Sequence, residues 1–272
     1  VTRLSVKIMA HKKREKFIPH LVEQLGLTED DVIWDTKQDR WDTGRRAWEA
    51  VDQTAEWGCV IQDDALVARD FIAGMQNGLS RLTTNTVVSP YVGTRRPMAH
   101  RVEAAVRTAV ANDASWIKMP SLNWGVAIII PTRIINGMLP WCDRQKYPNY
   151  DRRIGRYCID VERMPTICTW PSLVDHREVP SLVGHGGGRT AHKFLGESGS
   201  ALDVNWDGPI VSMTRTTTSA HRAVMNRGPR GLEIPSFNPT SVEGRASARQ
   251  LRVARRIGNS GQVDQPPVRP GS

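Results

Sequence analysis

Between Gly58 and Ala65 the chain reads Gly-Cys-Val-Ile-Gln-Asp-Asp-Ala, a run suited to a buried strand that ends in two adjacent carboxylates. A strand that ends this way puts its acids at the carboxyl edge of a sheet, where open α/β sheets bind their ligands. Two neighbouring carboxylates repel each other unless a cation or several donors lie between them. Asp63 and Asp64 therefore read as a divalent-cation site whose cargo is a diphosphate. A plainer reading competes: Asp at a helix N-cap or in its first turn satisfies free amides, and the residues at 66–82 have a helical pattern.

The segments before this stretch alternate. Residues 4–9 suit a strand, 15–25 an amphipathic helix closed by Gly26, 32–34 a short strand ending at Asp35, and 47–56 a second helix. Strand-helix-strand-helix-strand in so short a length is the signature of an α/β fold, with a Rossmann-type, mostly parallel central sheet and helices on both faces. No Gly-x-Gly-x-x-Gly follows the first strand, which argues against a nicotinamide dehydrogenase. Further strands are expected at 86–92, 116–119, 124–131 and 161–169, with Pro165 marking the last as an edge strand. Further helices are expected at 99–111, at 132–139 and from Asp151 onward.

Composition sets the outer limits. With 272 residues, 39% of them hydrophobic and 24% charged, the chain has the make-up of a soluble globular protein. Its longest apolar run, at 126–130, stops at Pro131 and is too short to span a membrane. No signal peptide is legible, because the first apolar segment is broken by Lys7 and followed by His11-Lys12-Lys13-Arg14, so a cytoplasmic location is expected. Cys59, Cys142, Cys158 and Cys168 show neither metal-binding spacing nor a disulfide framework and read as reduced core residues.

Charge divides the chain. Ten arginines face four acids in residues 206–272, which thus carry +6 of the net +9. The organisation expected is a domain at 1–205 and a basic, largely disordered tail at 206–272. Such a tail suits a polyanion such as nucleic acid, or is simply a solvated extension. Ahead of it, Gly184-His185-Gly186-Gly187-Gly188-Arg189 reads either as a loop that brings amides and Arg189 to an anion or as a linker.

Three features in order carry a resemblance: Val32 to Asp35 closing the second strand, Gly44-Arg45-Arg46-Ala47-Trp48 leading into Cys59 to Ala65, and Tyr150-Asp151-Arg152-Arg153 with Leu173-Val174-Asp175-His176. Over residues 4–195 the chain resembles nucleotide-sugar glycosyltransferases of the GT-A fold, of the small kind found in bacteriophage genomes. The acidic motif departs from the family's Asp-x-Asp, since Gln62 precedes Asp63-Asp64.

The resemblance implies a donor that is a nucleoside diphosphate sugar, with UDP the leading base, and a divalent metal, Mn2+ or Mg2+. It implies that Asp64 holds the metal with Asp63 beside it, and that His176 joins from the C-terminal side. Asp35 would meet the nucleobase or ribose, or else cap a turn. Arg45 and the Lys12-Lys13-Arg14 loop would add charge at the diphosphate, where a surface role for the loop competes. Asp151 would be the general base, or a helix cap, with Arg152, Arg153 and Arg156 helping an acidic acceptor to dock. Trp124 and Gly125 would shape the acceptor pocket, with core packing the alternative for Trp124. The favoured acceptor is a hydroxylated base in phage DNA. Ser or Thr of a phage structural protein is the alternative, as is a non-catalytic nucleic-acid-binding protein on a degenerate scaffold.

Overall fold

A computed structural model describes residues 2–94, 99–179, 182 and 189–213. The chain divides into two units, 1–215 and 216–272, and every described residue belongs to the first. The basic tail from 214 onward and the glycines of 184–188 lie outside the described residues.

In chain order the elements are β1 (Leu4–Ala10), α1 (Ile18–Leu25), β2 (Val32–Trp34), α2 (Arg40–Glu49), β3 (Trp57–Gln62), β4 (Ala65–Val67), α3 (Phe71–Leu79) and β5 (Val87–Ser89). They continue with α4 (Ala99–Ala111), β6 (Trp116–Met119), β7 (Ala127–Pro131), α5 (Ile135–Asp143), α6 (Tyr150–Asp160), β8 (Thr166–Thr169), β9 (Val174–His176) and β10 (Ile210–Ser212). Eight strands form one sheet in the order β10-β6-β8-β5-β7-β3-β1-β2, while β4 and β9 pair in a separate two-stranded ribbon.

The parallel half of the sheet is the one expected. β2, β1 and β3 run parallel, with β1 in the middle. β7 then inserts antiparallel between β3 and β5, so the sheet is mixed: four parallel pairings (β1 with β2, β1 with β3, β5 with β8, β6 with β10) against three antiparallel ones. Because β7 runs against β3, its N-terminal approach lies beside the carboxyl end of β3. Gln62 N–H donates to Val126 O at 2.8 Å there.

Strand alternation divides the core between two faces. Leu4, Val6, Ile8, Cys59 and Ile61 pack with Ile18 and Leu21 of α1 and Phe71 and Met75 of α3. On the opposite face Val60, Ile128 and Ile130 pack with Trp48 of α2, Ile135 of α5 and Ile154 of α6, and Ile117 and Cys168 pack with Val102 of α4. All four cysteines are buried free thiols, and burial pushes the thiols up, that of Cys142 to about 12.

Four sequence expectations change. α2 begins at Arg40, because Asp39 caps it by accepting from Trp41 N–H at 2.8 Å. Gly44 then lies inside the helix, where a Cβ would collide with the Tyr150 ring. The helix foreseen at 66–82 is split into β4 and a shorter α3, so Asp63 and Asp64 sit in a turn between strands and cap no helix. β8 is an interior strand, since Pro165 precedes it and offers its carbonyl to Val87 N–H at 2.9 Å.

The fourth change concerns the boundary at 205. Residues 206–213 are part of the first unit: β10 pairs with β6, and Trp206 is buried against Trp116 with ring centroids 5.0 Å apart. Trp206→Ala should therefore lower the unfolding free energy by about 3–5 kcal/mol. Urea denaturation checks this, and a change below 1 kcal/mol would return these residues to the tail.

Candidate functional site

The carboxyl ends of β1, β2 and β3 and the approach to β7 meet at one edge of the sheet. Asp63 and Asp64 follow β3 and are both buried, at 4% and 6% exposure. Two buried carboxylates on adjacent residues need counter-charge, and Arg14 supplies it. Its Nη1 lies 2.9 Å from Asp63 Oδ1 and 2.9 Å from Asp64 Oδ2. The other Asp63 oxygen accepts from the His11 N–H at 2.7 Å. Both oxygens of Asp63 are thus engaged by the loop after β1, which turns tightly through a 3-10 helix at Lys12–Phe17.

Asp64 has different neighbours. The β4–β9 ribbon sets Ala65 opposite His176, and Arg177 N–H donates to Asp64 O at 2.7 Å. Backbone pairing in this way carries His176 in from a distant part of the chain. Its Nδ1 lies 3.4 Å from Asp64 Oδ2 without hydrogen-bond geometry, and neither Nδ1 nor Asp64 Oδ1 has a hydrogen-bond partner, although both are buried. The two acids consequently titrate in opposite directions. Burial outweighs Arg14 at Asp63 and raises its pKa. At Asp64 burial also raises it, but His176, Arg14 and Arg189 together win and hold it below the usual range.

Across the edge stands Gly125. A Cβ built there would come 3.2 Å from Asp151 Cβ and 3.4 Å from Gln62 Nε2. The glycine thus lets α6 bring Asp151 up against the end of β3. Asn149 is the N-cap of α6 and Asp151 lies in its first turn, accepting from Arg152 N–H at 2.8 Å. Burial raises its pKa, opposed by that hydrogen bond and by the charges of Arg189 and Arg40. Tyr91, after β5, forms the remaining wall, edge-on to Trp124 at 5.7 Å and to His176 at 5.4 Å between centroids.

The residues singled out from sequence divide accordingly. Asp63, Asp64, His176 and Asp151 come to this edge, and the charge of Arg189 reaches Asp64, Tyr91 and Asp151. Asp35 sits at the end of the neighbouring strand, its Oδ1 accepting from Lys37 and Gln38 N–H in a turn and its Oδ2 4.0 Å from His11 Nε2. Lys12 and Arg45 lie in other pairs. Lys12 binds Glu15 and stands over the Trp34 ring, while Arg45 binds Glu49 and Asp143. The arginines of α6 are also engaged locally: Arg152 stacks on Tyr147, Arg153 on Trp41, and Arg156 pairs with Asp160. His11 and Tyr91 escaped the sequence reading, Gln62 entered it only as a departure from the acidic motif, and Arg14 passed as one of three loop cations. Its place four residues beyond the end of β1 was the available signal.

Among the described residues no group of three His, Cys, Asp or Glu is arranged to hold a metal ion. Two protein donors without hydrogen bonds belong to adjoining side chains, Asp64 Oδ1 and His176 Nδ1. The 3.4 Å between His176 Nδ1 and the Asp64 carboxylate is close to the roughly 3 Å that separates adjacent ligands of an octahedral ion with bonds of about 2.1 Å. The pair would supply two of the six positions, with the remainder to come from a ligand or water.

The raised pKa of Asp151 fixes the sign of a stability effect. A carboxyl raised on folding contributes stability that is complete below its unfolded value and is lost as pH rises through the folded value. Asp151→Asn should therefore raise the melting temperature at pH 7, an advantage that disappears as the pH falls into the ordinary Asp range. Thermal unfolding across pH 3–7 reads it, and a lower melting temperature at pH 7 would mean that Asp151 is held by interactions stronger than its burial.

No protein-family model matches the chain, and no curated protein matches it either. Among solved structures it is similar to a mutant Drosophila β-1,4-galactosyltransferase 7 in complex with manganese, UDP-Gal and xylobiose. That similarity has a TM-score of 0.38 and 9% identity over 72% of each chain.

Proposed function

We propose that the chain is a glycosyltransferase of the GT-A type, which moves a sugar from a nucleoside diphosphate sugar, UDP first among the bases, to a hydroxyl acceptor. One observation carries this reading: a buried carboxylate oxygen, Asp64 Oδ1, stands without a partner at the carboxyl edge of an α/β sheet, beside a histidine nitrogen in the same condition. An ionised group left so is expensive in a folded interior unless a cation completes it.

Asp64 and His176 would hold a divalent metal, Mn2+ or Mg2+. Bound there, the metal would act as a Lewis acid on the departing diphosphate. The chain's own residues do the rest. Arg189 supplies fixed positive charge, which needs little reorganisation as negative charge develops, and Arg14, now bridging the two acids, adds a second cation beside them. Asp35 Oδ2 is available to a ribose hydroxyl or a base N–H. Asp151, its pKa raised by burial, accepts the acceptor's proton on a carboxylate oxygen, and a base poised nearer neutrality is the more effective one. Gly125 lets Asp151 come up against Gln62 at the end of β3, and Trp124 and Tyr91 form an aromatic wall.

The acceptor we propose is a hydroxylated base of DNA, as in a phage genome, supported by the +6 carried by residues 206–272. A base within a duplex would have to be flipped out to reach Asp151.

Calorimetric titration of UDP, with and without manganese, tests the donor site. Wild type should bind UDP with manganese, and Asp64→Asn should lose at least tenfold in affinity. Binding of equal strength without manganese would instead favour a metal-independent transferase in which Arg14, already bridging the two acids, provides the counter-charge. Absence of UDP, GDP, TDP and CDP binding would overturn the donor reading.

The DNA acceptor has its own test. Affinity for duplex DNA should fall steeply between 50 and 200 mM salt, as phosphate contacts require. Deleting residues 214–272 should weaken it at least tenfold. Unchanged affinity after the deletion would remove the argument from charge and leave a protein Ser or Thr as the acceptor.

A further inference from the structure

The place where a cation would sit is already partly neutralised from within. A single nitrogen of Arg14 lies 2.9 Å from a carboxylate oxygen of each acid, and the arginine side chain is itself only 11% exposed. Asp63 has its second oxygen on the His11 N–H, so both its oxygens are engaged without any metal. Asp64 shares one oxygen between Arg14 and His176 and has the other free of hydrogen bonds. The guanidinium stands equally close to both acids, but Asp63 has both oxygens hydrogen-bonded and Asp64 does not.

Resting on the reading of Asp64 and His176 as a cation-binding pair, we infer that Arg14 is an internal competitor for that cation. A divalent ion on Asp64 would stand within a few ångströms of the guanidinium, inside a site where like charges are poorly screened. Arg14 must leave Asp64, keeping Asp63, for the ion to bind. Two consequences follow from this exchange. With no donor present, Arg14 keeps the buried acids neutralised and the loop after β1 in place, and metal affinity is low. A diphosphate reverses the balance, because it brings oxygen ligands to the metal and two negative charges to the displaced guanidinium. Cation and diphosphate then bind cooperatively, each raising the affinity of the other by the same factor.

Manganese titrations followed by electron paramagnetic resonance of the free ion test the exchange without any turnover. In the absence of nucleotide, Arg14→Ala should bind Mn2+ at least tenfold more tightly than wild type. The enhancement of Mn2+ affinity by UDP, large in wild type, should shrink in the variant. Circular dichroism checks that the variant folds. If it does not, Arg14→Gln, which keeps a donor for Asp63 without the charge, carries the same expectation. Mn2+ affinity equal to or weaker than that of wild type, with wild type still binding Mn2+ in the presence of UDP, would overturn the competitor role and leave the donor site standing. If neither protein binds Mn2+ even with UDP, the cation reading itself falls and this inference with it.

Discussion

Two carboxylates on consecutive residues are buried at the end of one strand, and the surrounding structure is arranged to make that tolerable. Like charges about 4 Å apart repel by roughly 4 kcal/mol at the effective dielectric of a partly buried site, comparable with much of a domain's net stability. Arg14 removes that repulsion by bridging the pair. The bridge in turn requires the loop after β1 to turn back toward β3, which the tight 3-10 helix at Lys12–Phe17 achieves. The backbone cooperates: Asp63 N–H donates to Met9 O at 3.1 Å, so the ends of β1 and β3 are tied by main chain as well as by charge. One guanidinium acts on both acids, yet they titrate in opposite directions, because only Asp64 also faces His176 and Arg189.

The second half of the site depends on strand direction. β7 enters antiparallel beside β3, which brings the segment before it, Trp124 and Gly125, to the same edge as the acids. A parallel strand in that place would have brought its own carboxyl end instead. Tyr150 then anchors α6 by accepting a hydrogen bond from Trp48 Nε1 at 2.8 Å and packing on Gly44 of α2. Asp151 follows Tyr150 directly, so the helix that Tyr150 anchors on α2 also delivers the carboxylate. The separate β4–β9 ribbon does the equivalent for His176.

Sequence disclosed what local periodicity encodes. The first three strands and their parallel order were legible because apolar alternation and helical spacing are local. α4 and β6 were legible to the residue. What failed depended on partners distant in the chain. The antiparallel insertion of β7 cannot be read from an apolar run, since a buried strand looks alike in either direction. β4 was hidden within a helical pattern because its three residues become a strand only by pairing with β9. Trp206 looked like the start of a polar tail, although its burial against Trp116 places it in the core. For the site, acid identity and strand-end position pointed to Asp63 and Asp64. Arg14 did not stand out from Lys12 and Lys13, because its distinction is three-dimensional: the loop turns one of the three cations inward and leaves Lys12 with Glu15.

Several of the groups least content with their surroundings lie together. Asp64 Oδ1 and His176 Nδ1 are buried without hydrogen bonds, and burial raises the pKa of both Asp63 and Asp151. A fold selected only for stability would replace such groups or complete them, since each unsatisfied buried polar atom costs about 1–3 kcal/mol. Buried atoms without hydrogen bonds also occur at Gln24, Thr166 and Thr169, but at this edge they coincide with acids of shifted pKa, the pattern expected where folding has been compromised for binding or chemistry. The four cysteines provide the contrast, because they are also buried with raised pKa values but lie dispersed within the core clusters and on no common edge. Burial alone therefore does not mark a site in this chain. What marks it is burial together with incomplete bonding, convergent charge and a glycine that lets the groups come together.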